Sequence, residues 1–228
     1  MPSDTLTHLP AVSATTFASV MMVALLANYF IERWLLNRQL RHVASWRDEV
    51  PSPFADRITL AEHQRAADYT LAKGTFTKVE SAIGLVVSAL ILFGGLSRLW
   101  GFTLTLADTP ILREVALVAL LSLVTGVISV PLSYYSTFYI EEKFGFNKTT
   151  KATFWVDLVK GSLLSAALVL PLAALVFWLM RSAGPLWWLY AWLVFIAFQL
   201  LMLALYPTFI APLFNKFRSE ERRVGKEC

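Results

Sequence analysis

Residues 115–138 read VALVALLSLVTGVISVPLSYYSTF, a run that contains no Asp, Glu, Lys or Arg. A helix needs about 20 mostly apolar residues to cross the hydrocarbon core of a bilayer, and this run is long enough to do so. The helices of a small soluble five-helix protein would carry polar faces, which the middle of this run lacks. The stretch therefore predicts a transmembrane helix.

Four other stretches have the same apolar character, and the composition of the whole chain agrees with them. The chain is 57% hydrophobic and 16% charged, whereas a soluble domain carries about 25% charged residues. We therefore predict an all-α polytopic membrane protein with about five transmembrane helices in one membrane domain, and the lipid bilayer as its first partner. The predicted spans are residues 13–36, 79–100, 115–138, 162–180 and 186–206.

Prolines and glycines mark irregular points in these spans. Pro131 lies in the third span and Pro171 in the fourth, and each is expected to kink its helix because proline removes a backbone donor. Gly94 and Gly95 follow the core of the second span. We expect these two glycines to let a neighbouring backbone approach closely.

The number of Lys and Arg residues alternates along the connections between the spans. The first connection with its flanks has eight, the second has two, the third has four and the fourth has one. Because cytoplasmic loops of membrane proteins are enriched in Lys and Arg, we predict that the amino terminus lies outside. The first and third loops and the end of the fifth span are then predicted to lie inside.

The first inside loop, residues 37–78, has the length of a small helical hairpin. Pro51 and Pro53 interrupt it, because each proline disfavours a helical conformation in the residue before it. Residues 60–73 after this break are helix-forming, with Leu60, His63, Ala67 and Leu71 on one face. We predict a helix that lies along the membrane surface or leads into the second span.

Nucleic-acid binding is not expected from the charge distribution. The net charge of +4 is modest, and the basic residues of the first loop are interspersed with acidic ones such as Asp48, Glu49 and Asp56. A nucleic-acid-binding surface would instead show a basic stripe. The only cysteine is Cys228, so the chain offers no disulfide and no thiolate metal site.

A zinc peptidase site of the H-E-x-x-H type needs two histidines one helical turn apart with a glutamate between them. The histidines here are His8, His42 and His63, and no pair has that spacing. An E-E-x-x-x-R hydrolase motif fits Glu141 and Glu142, but Phe146 stands where the arginine is needed. We therefore predict no catalytic residue, no metal ligand and no cofactor within this chain.

The inside loop that follows the third span is the best functional candidate. Gly145 and Asn147 form turns readily, and Thr149 or Thr150 is suited to cap the next helix. Phe144 and Phe146 are apolar residues in an otherwise charged loop. From the residues alone, the loop is an aromatic-anchored turn at the level of the lipid headgroups.

Two segments of this chain resemble the type I CAAX prenyl protease family. They are Ile140-Glu-Glu-Lys-Phe-Gly-Phe-Asn147 and Ile210-Ala-Pro-Leu-Phe-Asn-Lys-Phe217, and residues 66–73 are similar to a further family segment. The family-like residues of the second segment are Pro212, Phe214, Asn215 and Lys216. Proteins of this family are integral-membrane zinc metallopeptidases whose H-E-x-x-H helix follows the second segment.

The resemblance implies that residues 1–217 are the N-terminal membrane domain of such a peptidase, inactive alone and truncated before the zinc helix. It would form part of an intramembrane chamber and support a peptidase domain that faces the cytoplasm. In the first segment, Glu141, Glu142, Phe146 and Asn147 would position that domain and its substrate. Zinc would belong to the full-length protein, and its partners would be the missing peptidase domain and a peptide substrate.

The resemblance also implies a reaction and a location. The full-length protein would remove the terminal tripeptide after a prenylated cysteine, or in bacteria would cleave other membrane-associated peptides. It would lie in the inner membrane of a bacterium or in the endoplasmic reticulum membrane of a eukaryote. The alternative function is a polytopic transporter or scaffold subunit without hydrolytic activity, which kinked spans and polar residues within the spans, such as Asn28 and Gln199, would suit equally.

The last eleven residues, 218–228, read RSEERRVGKEC and have no apolar periodicity. They do not resemble the continuation of the family, and we interpret them as the translation of a read-through sequencing adapter. The alternative interpretation is a short charged tail of the native protein.

Overall fold

The computed structural model describes residues 13–54 and 56–214. In these residues the chain is helical with no strand, and five helices are long and apolar enough to cross a membrane. The predicted fold class is therefore confirmed. The α-helices are α1 (Ala14–Ser45), α2 (Leu60–Leu90), α3 (Leu96–Leu106), α4 (Pro110–Tyr135), α5 (Lys151–Ser182), α6 (Trp187–Leu205) and α7 (Ala211–Phe214).

Short helical turns of other types connect or end these helices. The segments Ser52–Phe54 and Gly184–Leu186 are 3₁₀ turns, and the segments Ile91–Gly95, Ser136–Glu141 and Tyr206–Ile210 are π-helical turns. Pro131 and Pro171 lie inside α4 and α5, as predicted. The 3₁₀ turn Ser52–Phe54 coincides with the predicted break in the first inside loop.

Polar side chains fix the first turns of three helices. The hydroxyl of Ser13 accepts a hydrogen bond from the backbone N–H of Thr16 at 3.1 Å, and Thr150 accepts one from Thr153 at 3.1 Å. Thr59 and Glu62 form a reciprocal capping box at the start of α2. Such caps satisfy backbone donors that have no partner inside the helix. Thr150, rather than Thr149, is the cap of α5.

The helix α2 does not lie separately on the membrane surface but leads directly into the second span. It has 31 residues, about 46 Å at 1.5 Å per residue, and a kink in the turn Ile91–Gly95 separates it from α3. Since the hydrocarbon core is about 30 Å thick, the polar first turns of α2 extend well beyond it. Of the two alternatives from the sequence, the second is therefore confirmed.

The expectation that Gly94 and Gly95 admit a neighbouring backbone is wrong. A Cβ atom built on Gly94 would meet no described atom within 4 Å, and one on Gly95 would meet only atoms of Leu90 and Ile91 in its own segment. Gly94 instead has a φ of 148° within the π-helical turn, a backbone conformation that side chains other than glycine rarely allow.

The chain divides into two compact units. The first contains the described residues up to Thr105 together with Leu120–Thr149. In it, α1 and α2 pack antiparallel: Leu40 lies against Gly74, and the Arg33 side chain bonds the Lys78 carbonyl. Leu40 is buried, and a Cβ atom on Gly74 would overlap its side chain. Gly74 therefore allows these two helices to approach closely.

The second unit contains Leu106–Ala119 and the described residues from Thr150 onward. The guanidinium of Arg181, at the end of α5, donates to a carboxylate oxygen of Glu114 in the first turns of α4 at 2.5 Å. Lys160 donates to the carbonyl of Leu213 at 3.3 Å and so links α5 to α7. Large apolar side chains of both units are widely exposed, as expected for helices that face lipid.

Candidate functional site

Three side chains on the first turns of α2 form the base of the candidate site. Arg65, Tyr69 and Lys73 follow one another at intervals of four residues. Residues at this spacing lie one above the other on the same face of a helix. We call these three residues the α2 stripe.

The loop of residues 141–149 turns back sharply after the π-helical turn Ser136–Glu141. The carbonyl of Glu141 accepts hydrogen bonds from the backbone N–H groups of Phe146 at 2.9 Å and Asn147 at 3.3 Å. Gly145 has a φ of 75°, which favours glycine. The side-chain oxygen of Asn147 accepts from the N–H of Thr149 at 2.7 Å. Both predicted turn formers therefore shape the loop.

Aromatic contacts hold the 141–149 loop on the α2 stripe. The ring of Tyr69 lies edge-on to Phe144, with centroids 5.5 Å apart, and to Phe146, with centroids 4.7 Å apart. Phe144 is buried, whereas Phe146 is 52% exposed. Each such aromatic pair contributes about 0.5–1.5 kcal/mol beyond the apolar area that it buries. Tyr69 is therefore the centre of the contact.

Two cations of the α2 stripe bind the same loop. The ammonium group of Lys73 donates to a carboxylate oxygen of Glu141 at 3.0 Å and to the hydroxyl of Tyr69 at 3.1 Å. The guanidinium of Arg65 donates to the carbonyl of Phe144. A Cβ atom on Gly145 would lie 2.7 Å from Nη2 of Arg65. Glycine at position 145 therefore allows both the tight turn and the close approach of the Arg65 side chain.

The other side of the same helix is fixed to the end of α1. Arg47 binds both carboxylate oxygens of Asp68, at 2.7 and 2.9 Å, and also donates to Asp48. The hydrogen bond from Arg47 to Asp68 raises the pKa of Arg47 further above its ordinary value. Nε2 of His63 lies 2.7 Å from the carbonyl of Trp46. The first turns of α2 are thus held between α1 and the 141–149 loop.

The structure places the predicted site residues as follows. Glu141, Phe146 and Asn147 belong to the cluster on α2, whereas the exposed carboxylate of Glu142 forms no ion pair with another described residue. Pro212 is exposed in α7, in the second unit. Phe214 ends α7, and Asn215, Lys216 and the tail 218–228 lie outside the described residues.

Arg65, Tyr69 and Lys73 were not predicted as members of the site. Their four-residue spacing was the available signal, because it places a cation, an aromatic ring and a second cation on one helical face. That face is the complement of a loop that contains two phenylalanines and two glutamates.

The cluster is suited to positioning a loop rather than to bond chemistry. In residues 13–54 and 56–214, no group of three His, Cys, Asp or Glu side chains is arranged to hold a metal ion. Glu141 is the carboxylate of the cluster, and it is occupied by Lys73. These contacts hold Phe146 against Tyr69 of α2 with half of its surface still exposed, and they leave Glu142 exposed in the same loop.

The sequence of this chain matches a known protein family and several known proteins. Residues 39–216 match the family described as CAAX prenyl protease N-terminal, five membrane helices. The chain is 32% identical over 225 residues to a CAAX prenyl protease 1 homolog of Oryza sativa subsp. japonica, covering 94% of this chain and 52% of that protein. It is 34% identical over 175 residues to a homolog of Dictyostelium discoideum, covering 74% and 41% of the two chains.

A solved structure shares the fold as well. The crystal structure of S. mikatae Ste24p superposes with a TM-score of 0.81 at 26% identity, covering 88% of this chain and 48% of that one. The chain spans about half the length of the curated relatives that it matches. With a family match over most of its length, the chain belongs to the CAAX prenyl protease N-terminal family of five-helix membrane domains.

Proposed function

We propose that residues 1–217 act as the N-terminal membrane domain of a CAAX prenyl protease-like zinc metalloendopeptidase. The domain forms part of an intramembrane chamber and supports a peptidase domain on the cytoplasmic side. It is inactive alone, since the zinc ligands and the general base belong to the peptidase domain. Its partners are that domain and, in the full-length protein, a peptide substrate.

One observation carries this proposal: α2 holds in place one of the two segments that resemble the family most strongly. Glu141 and Phe144 of that segment are bound by Lys73 and Arg65, and Phe146 packs on Tyr69. An interfacial turn alone would need aromatic anchors but no paired cations from a neighbouring helix. The arrangement is that of a loop whose position matters.

The exposed groups of the 141–149 loop are the ones available to a further domain. Phe146 packs on Tyr69 and still has 52% of its surface exposed. The carboxylate of Glu142 and the ammonium group of Lys143 project from the same turn and are also exposed. Aromatic residues, including phenylalanine, are enriched at protein–protein interfaces relative to the rest of the surface. We infer that the peptidase domain docks on this exposed side.

The names of the relatives, which are CAAX prenyl proteases, support a proposal for the substrate class. We propose that the full-length protein cleaves membrane-associated peptides, with prenylated CAAX peptides as the first substrates to test. Its membrane would be the endoplasmic reticulum in a eukaryote and the inner membrane in a bacterium. We further propose that residues 218–228 are not native to the protein.

The coding sequence that follows Lys216 in the source genome tests both proposals. An in-frame H-E-x-x-H motif with a later glutamate ligand would support the peptidase and would show residues 218–228 to be foreign. A stop codon directly after Cys228 would contradict both and would favour a transporter or scaffold. The full-length product should then cleave a prenylated CAAX peptide, lose activity on zinc chelation and regain it when zinc is restored.

A further inference from the structure

A groove of about 550 Å³ runs between α1 and α2, further along α2 than the α2 stripe. Its wall on α2 consists of Val79, Ala82, Ile83, Val86 and Val87, which extend over about 12 Å of helix. This part of α2 is the first half of the predicted second span. The wall therefore lies at the depth of lipid acyl chains.

The mouth of the groove is basic. Arg33 of α1 and Lys78 of α2 line it at the end where the apolar wall begins. The guanidinium of Arg33 uses one of its donors to bind the carbonyl of Lys78 at 3.2 Å, which fixes it at the mouth and leaves further N–H groups for a ligand. Neither cation forms an ion pair within residues 13–54 and 56–214.

A second groove continues from this mouth toward the polar end of the helix pair. It has a volume of about 470 Å³ and shares Thr75 and Lys78 with the first groove. It adds Arg41 and Asn37, and among the residues that the structure describes no carboxylate lines either groove. The acidic neighbour Glu32 accepts a hydrogen bond from Asn28 in its own helix. The charge at the junction of the two grooves is therefore positive.

We propose that this site binds one anionic phospholipid of the leaflet that faces the basic loops. The phosphate lies between Arg33 and Lys78, and one acyl chain follows the apolar wall along residues 79–87. Guanidinium and ammonium groups together bind phosphate oxygens strongly, and the apolar wall favours a ligand that carries a hydrocarbon chain. Lipid binding at this site requires no peptidase domain. The lipid proposal can therefore be tested independently of the proposed function.

Native mass spectrometry of the purified 228-residue chain tests this site. With dioleoylphosphatidylglycerol added in detergent, we expect one lipid to be retained per chain, and far less retention of dioleoylphosphatidylcholine. Arg33→Gln and Lys78→Gln should each lower retention roughly fivefold. Arg38→Gln is the matched control, because Arg38 lies on the same helix but does not line either groove; its retention should be unchanged.

A second variant keeps the test valid if a charge change disturbs the fold. Ala82→Trp fills the apolar wall without altering any charge, and it should also lower retention of the anionic lipid. Circular dichroism verifies the helical content of each variant. Equal loss in Arg38→Gln, equal retention of both lipids, full competition by inorganic phosphate, or normal retention in a folded Ala82→Trp variant would each overturn the proposal.

Discussion

The ammonium group of Lys73 and the carboxylate of Glu141 are joined by a 3.0 Å hydrogen bond across 68 residues of sequence. The pair ties the first turns of α2 to the loop that follows the third span. Lys73 also reaches the hydroxyl of Tyr69, so one cation connects the polar and the aromatic halves of the cluster. This link sets the orientation of the loop on α2 and therefore decides which side chains of the loop stay exposed.

The first prediction concerns the energy of this ion pair. The side chains of Lys73 and Glu141 are 45% and 29% exposed, so water screens their attraction and the coupling energy should be about 1 kcal/mol or less. A double-mutant cycle with Lys73→Met and Glu141→Gln, measured by thermal denaturation in detergent, determines it. By contrast, Phe144→Ala should cost about 3 kcal/mol, because it empties a buried aromatic site. Similar losses in all three variants would contradict this ranking.

The second prediction concerns Gly145. The change Gly145→Ala places a side chain at a φ of 75° and brings its Cβ atom within 2.7 Å of Arg65. We expect the loop to loosen, which hydrogen exchange of the Phe146 and Asn147 amides would detect as lost protection. Gly184→Ala is the control, because Gly184 also has a positive φ but open space around it. Unchanged protection in Gly145→Ala would show that the loop tolerates the strain.

The third prediction concerns the contact between α1 and α2. Gly74→Leu should destabilise the protein by about 1–3 kcal/mol, since the new side chain competes with buried Leu40 for the same space. Gly84→Leu, in the same helix with no atom within 4 Å of its Cβ position, should be neutral. Thermal denaturation of both variants in the same detergent compares them. Equal melting temperatures would mean that the helices do not pack as closely as described.

The fourth prediction concerns orientation in the membrane. Single cysteines at Arg57 and Lys148, in a background with Cys228→Ser, should react with an impermeant maleimide only after cells are opened. A cysteine at Asp108, in the connection between the second and third spans, should react in intact cells. The reason is the excess of Lys and Arg in the first and third loops. Strong labelling of Arg57→Cys from outside would contradict the predicted topology and would favour the reverse orientation.

Much of the fold could be predicted from the sequence because a bilayer imposes strong local rules. The spans, the prolines within α4 and α5, and the Thr150 cap all follow from composition or from neighbouring residues. The length of α2 was harder to predict from the sequence, because the part of a helix that lies outside the membrane has no high apolar content to identify it. The role predicted for Gly94 was wrong for a related reason. The sequence does not distinguish a glycine that is needed for a positive φ from a glycine that is needed for close packing.

Only one of the two segments that form the candidate site could be predicted from the sequence. The 141–149 loop stands out by its turn formers and aromatic residues, and Glu141, Phe146 and Asn147 were identified from it. Its partner on α2 depends on tertiary pairing between segments about 70 residues apart, which no local pattern encodes. The roles of Arg65, Tyr69 and Lys73 therefore became apparent only when both segments were seen together.

The last prediction tests the positioning role of the loop in the full-length protein. Phe146→Ala and Asn147→Ala should each lower kcat for a prenylated CAAX peptide while zinc content and membrane insertion stay normal. A misplacement of about 1 Å at a positioning element can cost roughly 100-fold in rate. Phe102→Ala is the matched control, because Phe102 has the same 52% exposure but lies in α3, and its kcat should be unchanged. If both loop variants retained the kcat of the unmodified enzyme and lost only thermal stability, the loop would be an interfacial anchor and would have no part in positioning the peptidase domain.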